Sequence, residues 1–168
     1  MAIQNNHRGK PRLLTTKDLV FLCKKLNDSG VKYVLIGGFA VNYYGFSRVT
    51  VDIDILVDTS EENISKIKKA LKYLPEKAAE QIAPGDVEKY KVVRVSDEIV
   101  IDLMARACEV TYKNANIKYF DYEGVSIPIV TLPTLIKTKQ YSVRPKDKED
   151  IRYLKEIKKQ SKAMEKEL

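Results

Sequence analysis

The order of patterns along this chain predicts an α/β (α+β) domain: a mixed β-sheet flanked by helices and closed by C-terminal helices. Three observations carry that expectation. Short apolar runs at 33–36 and 51–57 alternate with stretches of helical periodicity. Two pairs of strand-like segments follow, each separated by a short polar turn, as in hairpins. The last forty residues then revert to helical spacing, interrupted by a single Arg144-Pro145-Lys146 turn.

Each element has a local reason. Thr15 or Thr16 caps a helix running to about Asn27, with Leu19, Val20, Leu22, Cys23 and Leu26 on one face, and Asp28-Ser29-Gly30 stops it. Tyr33 to Ile36 is a strand that breaks at Gly37-Gly38, before a short helix from Phe39 to Tyr44 ended by Gly45. Val51 to Val57 is the second strand, and Ser60 caps a helix to about Leu74. Pro75 to Asp86 reads as loop, with room for a helical turn over Glu76 to Gln81. Lys89 to Val95 and Glu98 to Met104 form a hairpin around Ser96-Asp97; residues 105 to 115 are ambiguous. Ile117 to Asp121 and Val125 to Ile127 form a second hairpin across Glu123-Gly124. Thr131 and Pro133 open a helix to about Tyr141, and a final helix spans about Lys148 to Lys166.

A chain of 168 residues fits one domain. The reading is a flexible tail over 1–12, which holds the only histidine, His7, and a single domain over 13–168. At 44% hydrophobic and 32% charged, the composition is that of a globular protein. There is no apolar run near the roughly 20 residues of a membrane span and no secretory signal, so a cytoplasmic location and no membrane partner are expected. Cys23 and Cys108 stand apart, form no metal-binding pair and read as free thiols. The net charge is +7, and residues 137–168 carry eleven Lys/Arg against six Asp/Glu. That balance permits nucleotide or RNA partners, although a lysine-rich solvated helix explains it equally.

The chemistry concentrates in 37–57. Alternation along a strand places Val51, Ile53, Ile55 and Val57 on one face and Asp52 with Asp54 on the other. Two carboxylates that close repel each other unless a cation lies between them. Magnesium, or manganese in its place, suits an all-oxygen site. In the strand Glu98 to Met104, Asp102 occupies the polar-facing position among apolar neighbours, where an unpaired carboxylate is costly. If the two strands are adjacent, Asp52, Asp54 and Asp102 form a cluster able to hold two metals. Gly37-Gly38, between strand and helix, lets backbone approach phosphate, although a tight turn explains the pair as well.

These residues resemble the DNA polymerase β-like nucleotidyltransferase superfamily. The run Gly37-Gly38-x-Ala40 followed by Arg48-x-Thr50-x-Asp52-x-Asp54 is similar to the branch containing the AbiEii-type toxins of bacterial toxin–antitoxin and phage-defence systems. The later Leu132-Pro-Thr-Leu-Ile-Lys137 and Arg144-Pro-Lys146-Asp147-x-x-Asp150 resemble that branch's downstream lysine helix and basic-acidic turn. The likeness spans about residues 31 to 154. It implies a minimal nucleotidyltransferase that binds a nucleoside triphosphate with magnesium and transfers NMP to an acceptor hydroxyl by two-metal chemistry. Asp52, Asp54 and Asp102 would hold metal, with Asp102 also a general base; Gly37, Gly38, Arg48, Thr50, Lys137 and Arg144 would face the nucleotide. The acceptor, whether RNA, protein or small molecule, is open, and a partner toxin or antitoxin is implied by the branch. The pair Gly-Gly replaces the Gly-Ser of many members.

Plainer readings stand beside these. Arg48 reads equally as a surface ion-pair partner, Lys137 as an exposed helix lysine, and Arg144, Lys146, Asp147 and Asp150 as an inter-helix salt-bridge network. An EF-hand is excluded because Leu56-Val57 occupy positions where polar ligands belong. The alternative to an enzyme is a catalytically inactive nucleotide-binding or protein-interaction module of the same fold.

Overall fold

The computed structural model describes residues 1–4 and 10–167. Its elements, in order, are strand β1 (Ala2–Gln4), helix α1 (Thr16–Asp28), β2 (Tyr33–Ile36), α2 (Gly37–Tyr43), β3 (Ile53–Val57), α3 (Glu61–Ala70), α4 (Asp86–Tyr90), β4 (Val92–Ser96), β5 (Val100–Met104), β6 (Arg106–Ala107), β7 (Val110–Thr111), β8 (Ile117–Tyr122), β9 (Val125–Val130), α5 (Leu132–Lys137) and α6 (Pro145–Lys166). Seven strands form one mixed sheet in the order β1-β4-β5-β3-β2-β9-β8, and β6 with β7 forms a separate ribbon. The expected mixed sheet flanked by helices is therefore present.

The centre of the sheet positions everything that follows. β2 runs antiparallel to β3, and β3 runs parallel to β5 in a register that sets Asp54 opposite Asp102. β4 and β5 form the expected hairpin, with Arg94 opposite Asp102. Ile53, Ile55, Leu56 and Val57 are all buried, as are Ile101 and Leu103, so the central strands are covered on both faces. α1 packs against β9 and α3, whereas α2, α5 and α6 form a second helical group. α1 starts at a capping box in which Thr15 and Asp18 bond reciprocally.

Several boundaries differ from expectation: α5 ends at Lys137 and not near Tyr141, α6 begins at Pro145 and not near Lys148, and others differ for local reasons. β3 begins at Ile53, not Val51; Val51 is 56% exposed, so Asp52 lies on a bend just before the strand and not within its alternation. α4 was expected to be loop and strand, but five residues opened by Gly85 are too few to show a period. β9 continues through Pro128 to Val130, since proline's fixed φ is compatible with extended backbone where no donor is required. The β6–β7 hairpin turns at Cys108-Glu109, with Cys108 at φ 52 and without the Gly or Asn that signals such a turn.

The stretch expected to be a tail is tied at both ends among the described residues. Ala2–Gln4 pairs parallel with β4 at the sheet edge, and Arg12 bonds Asp18 and Glu98. His7 lies outside the described residues. Cys23 is buried, and Cys108 is half-buried with its thiol 3.2 Å from the Thr138 carbonyl. No helix among the described residues is long and apolar enough to cross a membrane.

Candidate active site

A cleft of about 430 Å³ opens over the β3–β5 junction. Asp54 and Asp102 enter it from neighbouring parallel strands in direct register, and Asp52 joins from the preceding bend. One carboxylate oxygen from each lies within 4.8 Å of the others. Burial, followed by the charges of Asp52 and Asp102, pushes the Asp54 carboxyl up to about 7, and Lys139 pulls it only part of the way back. Three carboxylates packed this closely leave the point short of positive charge. The donor set is three hard oxygen ligands close together and under-neutralised, which fits a divalent cation such as Mg²⁺ or Mn²⁺. Asp52, Asp54 and Asp102 are the residues that could hold it.

The glycine turn is shaped by these same side chains. Gly37 has φ +69, and a Cβ built on it would overlap the Asp54 carboxylate; one on Gly38 would lie 2.6 Å from Thr50 Oγ1. The pair therefore seats the carboxylate and the threonine as well as leaving backbone open to the cleft. Thr50 Oγ1 donates to the Asp52 carbonyl, fixing the bend that presents Asp52. Asn42 pins the same loop to α2 by bonding both the N–H and the carbonyl of Arg48.

The opposite wall is a network of charges from the turn between α5 and α6. Lys139 pairs with Asp147 at 2.7 Å and Asp150 at 3.1 Å, and Arg48 reaches Asp150 at 3.2 Å. Arg144 Nε donates to Asp147 at 2.8 Å, and Ser142 Oγ donates to the same carboxylate. Burial tends to raise the Asp147 carboxyl, but the bonds from Arg144, Lys139 and Ser142 outweigh it and hold the group below the usual carboxylate range.

Among the expected site residues, Asp52, Asp54, Asp102, Gly37, Gly38, Arg48, Thr50 and Arg144 all line this cleft. Lys137 does not. It is exposed and borders a separate cleft with Asn114, Asn116 and Gln140. Two lysines line the acidic cleft, Lys139 and Lys146; Lys139 is there because α5 ends at Lys137 and the chain turns inward at Thr138. One further residue was missed. Arg94 Nε and Nη2 donate to Asp102 at 2.9 and 2.8 Å, and Nη2 also donates to Asp52 at 2.9 Å. The signal for Arg94 lay in the hairpin register: a turn over Asp97-Glu98-Ile99 sets residue 94 opposite 102, whereas a turn at Ser96-Asp97 does not. Asp150 sits in a salt-bridge network, as its spacing from Asp147 suggests, with Lys139 and Arg48 as partners, and it is completely buried.

A mixed sheet that brings two carboxylates from adjacent strands and a third from the bend before one of them beside a glycine turn, with basic residues opposite, defines a nucleotidyltransferase fold. Solved structures share it. The lincosamide antibiotic adenylyltransferase LnuA, solved with lincomycin bound, aligns with TM-score 0.55 at 18% identity over 87% of this chain and 99% of that one. An antigenic nucleotidyltransferase-like protein from Paracoccidioides brasiliensis aligns with TM-score 0.54 at 15% identity, over 84% and 74% respectively. Residues 20–162 match the family model described as nucleotidyl transferase AbiEii toxin, Type IV TA system, and the chain belongs to that family. No curated protein sequence matches it.

Proposed function

We propose that this chain is a metal-dependent nucleotidyltransferase, the toxin component of a toxin–antitoxin system, that moves NMP from a nucleoside triphosphate to an acceptor hydroxyl in the cytoplasm. The observation that carries this reading is the cluster of Asp52, Asp54 and Asp102, whose carboxylate oxygens lie within 4.8 Å of one another. Family membership supports the reaction class. Divalent ions bound by these carboxylates would supply charge neutralisation at the reacting phosphate and lower the pKa of the attacking hydroxyl, as two-metal enzymes require.

The chain's own groups divide the remaining work. Gly37 and Gly38 line the cleft where backbone would meet phosphate, and Arg48, Thr50, Lys139 and Arg144 line the same cleft. Lys139 takes the role expected of Lys137. The acceptor oxygen attacks the α-phosphorus, its proton passes to the Asp102 carboxylate, and the bond to the departing pyrophosphate breaks. The basic run over 137–168 leans the acceptor, among RNA, protein and small molecule, mildly towards RNA. The alternative is an inactive nucleotide-binding module.

Incubating the full chain with each α-labelled NTP, Mg²⁺ or Mn²⁺, and whole-cell RNA or protein tests the reading. Label transferred by the wild type and lost in Asp54→Asn is expected. Nucleotide binding indifferent to metal, with no transfer to either pool, overturns it in favour of the module. Induced expression in bacteria is expected to halt growth, and the Asp54→Asn chain is expected to be tolerated.

A further inference from the structure

We infer that Arg94 is a tethered cation that competes with free divalent metal for the acidic cluster, so that the site favours metal arriving together with a triphosphate. The inference rests on the metal-dependent reading above.

The argument starts from β4. Val93 and Val95 are fully buried on either side of Arg94, which fixes the backbone there, and the register sets Arg94 opposite Asp102. Its guanidinium meets Asp102 side-on through two nitrogens and reaches Asp52 with one of the same two, Nη2. A single positive charge therefore occupies acceptor positions on two of the three proposed metal ligands. The other paired cations of the cleft have their ion pairs on the opposite wall: Lys139, Arg48 and Arg144 are joined to Asp147 or Asp150.

The two pairings are unequal. Asp102 is held by two bonds on a paired strand, and its side chain is 9% exposed. Asp52 is held by one shared bond, precedes β3 on a bend, and is 23% exposed. Asp52 is the partner that can be released. A divalent ion taking Asp52 and Asp54 meets the positive charge of the guanidinium beside Asp52 Oδ2, and a guanidinium that gives up this bond has donors that suit a phosphate oxygen. Metal alone gives the arginine nothing in return. Metal accompanied by polyphosphate does.

The test uses the full chain, Mn²⁺ as the probe, and inorganic tripolyphosphate as a triphosphate without a base. Arg94→Gln is expected to bind Mn²⁺ alone roughly fivefold to tenfold more tightly than wild type, the effect of removing one like charge across a solvent-screened distance. Arg94→Lys, which keeps the charge but not the fork, is expected to fall between them. Tripolyphosphate is expected to tighten Mn²⁺ binding more in wild type than in Arg94→Gln. In chelator, Arg94→Gln is expected to melt below wild type and to recover with Mn²⁺; an arginine that merely props the fold would leave the deficit in place. Mn²⁺ bound by wild type, but no more tightly by Arg94→Gln or Arg94→Lys, overturns the role of Arg94 alone. Mn²⁺ bound by none of these chains, with or without tripolyphosphate, overturns both this inference and the metal-dependent reading.

Discussion

Two charged clusters face each other across the cleft, and they are built on opposite principles. Behind α5 and at the start of α6, Asp147 and Asp150 are matched by Lys139, Arg48 and Arg144, and Asp147 stays readily ionised. On the sheet, Asp52, Asp54 and Asp102 share Arg94, which reaches only two of them, and Asp54 holds its proton up to about 7. The first cluster is neutralised from within and ties α6 to the site. The second is left in deficit, which is what a site awaiting a cation needs. Burial alone does not separate structural charge from functional charge, since both clusters contain buried carboxylates; local charge balance does.

The sharpest way to break this contrast is to remove one carboxylate from each cluster. Asp54→Asn is expected to lower nucleotide transfer on the order of a thousandfold or more, since it takes away a ligand of the charge that stabilises the transition state. Its metal-free stability is expected to be equal to or above wild type, measured by urea unfolding in chelator. Asp150→Ala is expected to do the reverse in kind, costing about 3 kcal/mol in the same unfolding measurement because Lys139 and Arg48 lose a fully buried partner.

Lysine substitutions sharpen the contrast further. Lys139→Gln is expected to weaken metal-dependent NTP binding roughly tenfold, the value of one charge-assisted contact. Lys137→Gln is expected to leave it within about twofold, because that side chain faces a different cleft; calorimetric titration of both decides the assignment.

The smallest effect is a pH dependence. The folded Asp54 carboxyl holds its proton to about 7, above the ordinary value of 3.8. Between those values the folded chain binds a proton that the unfolded chain has released, so metal-free stability falls as pH rises through that window and levels off above it. Melting temperature in chelator is expected to trace that decline, Asp54→Asn to flatten it, and saturating Mg²⁺ to offset it.

Much of this was legible in the residues. Alternation in 53–57 and 99–103 exposed Asp54 and Asp102, the glycine pair marked the turn, and the spacing from Arg48 to Asp54 pointed to the family. What escaped was set by register and termination. Whether α5 stops at Lys137 or runs on decides which lysine turns inward, and one residue in the hairpin turn decides whether Arg94 meets Asp102. Neither choice leaves a compositional trace. Asp52 illustrates the same limit: the residue is right, but it arrives by a bend held by Thr50, where alternation along Val51–Val57 would have put it within the strand.

The contact between Gly37 and Asp54 carries a consequence for how this sequence can change. Because a methyl group at 37 would collide with the carboxylate at 54, the two positions constrain each other, and mutational order matters. An alanine introduced at 37 first meets both the collision and an unfavourable positive φ; introduced after Asp54→Gly, it meets only the second. A lineage that keeps the aspartate is thereby held to glycine, and only one that has already given up the acidic side chain gains freedom at the turn.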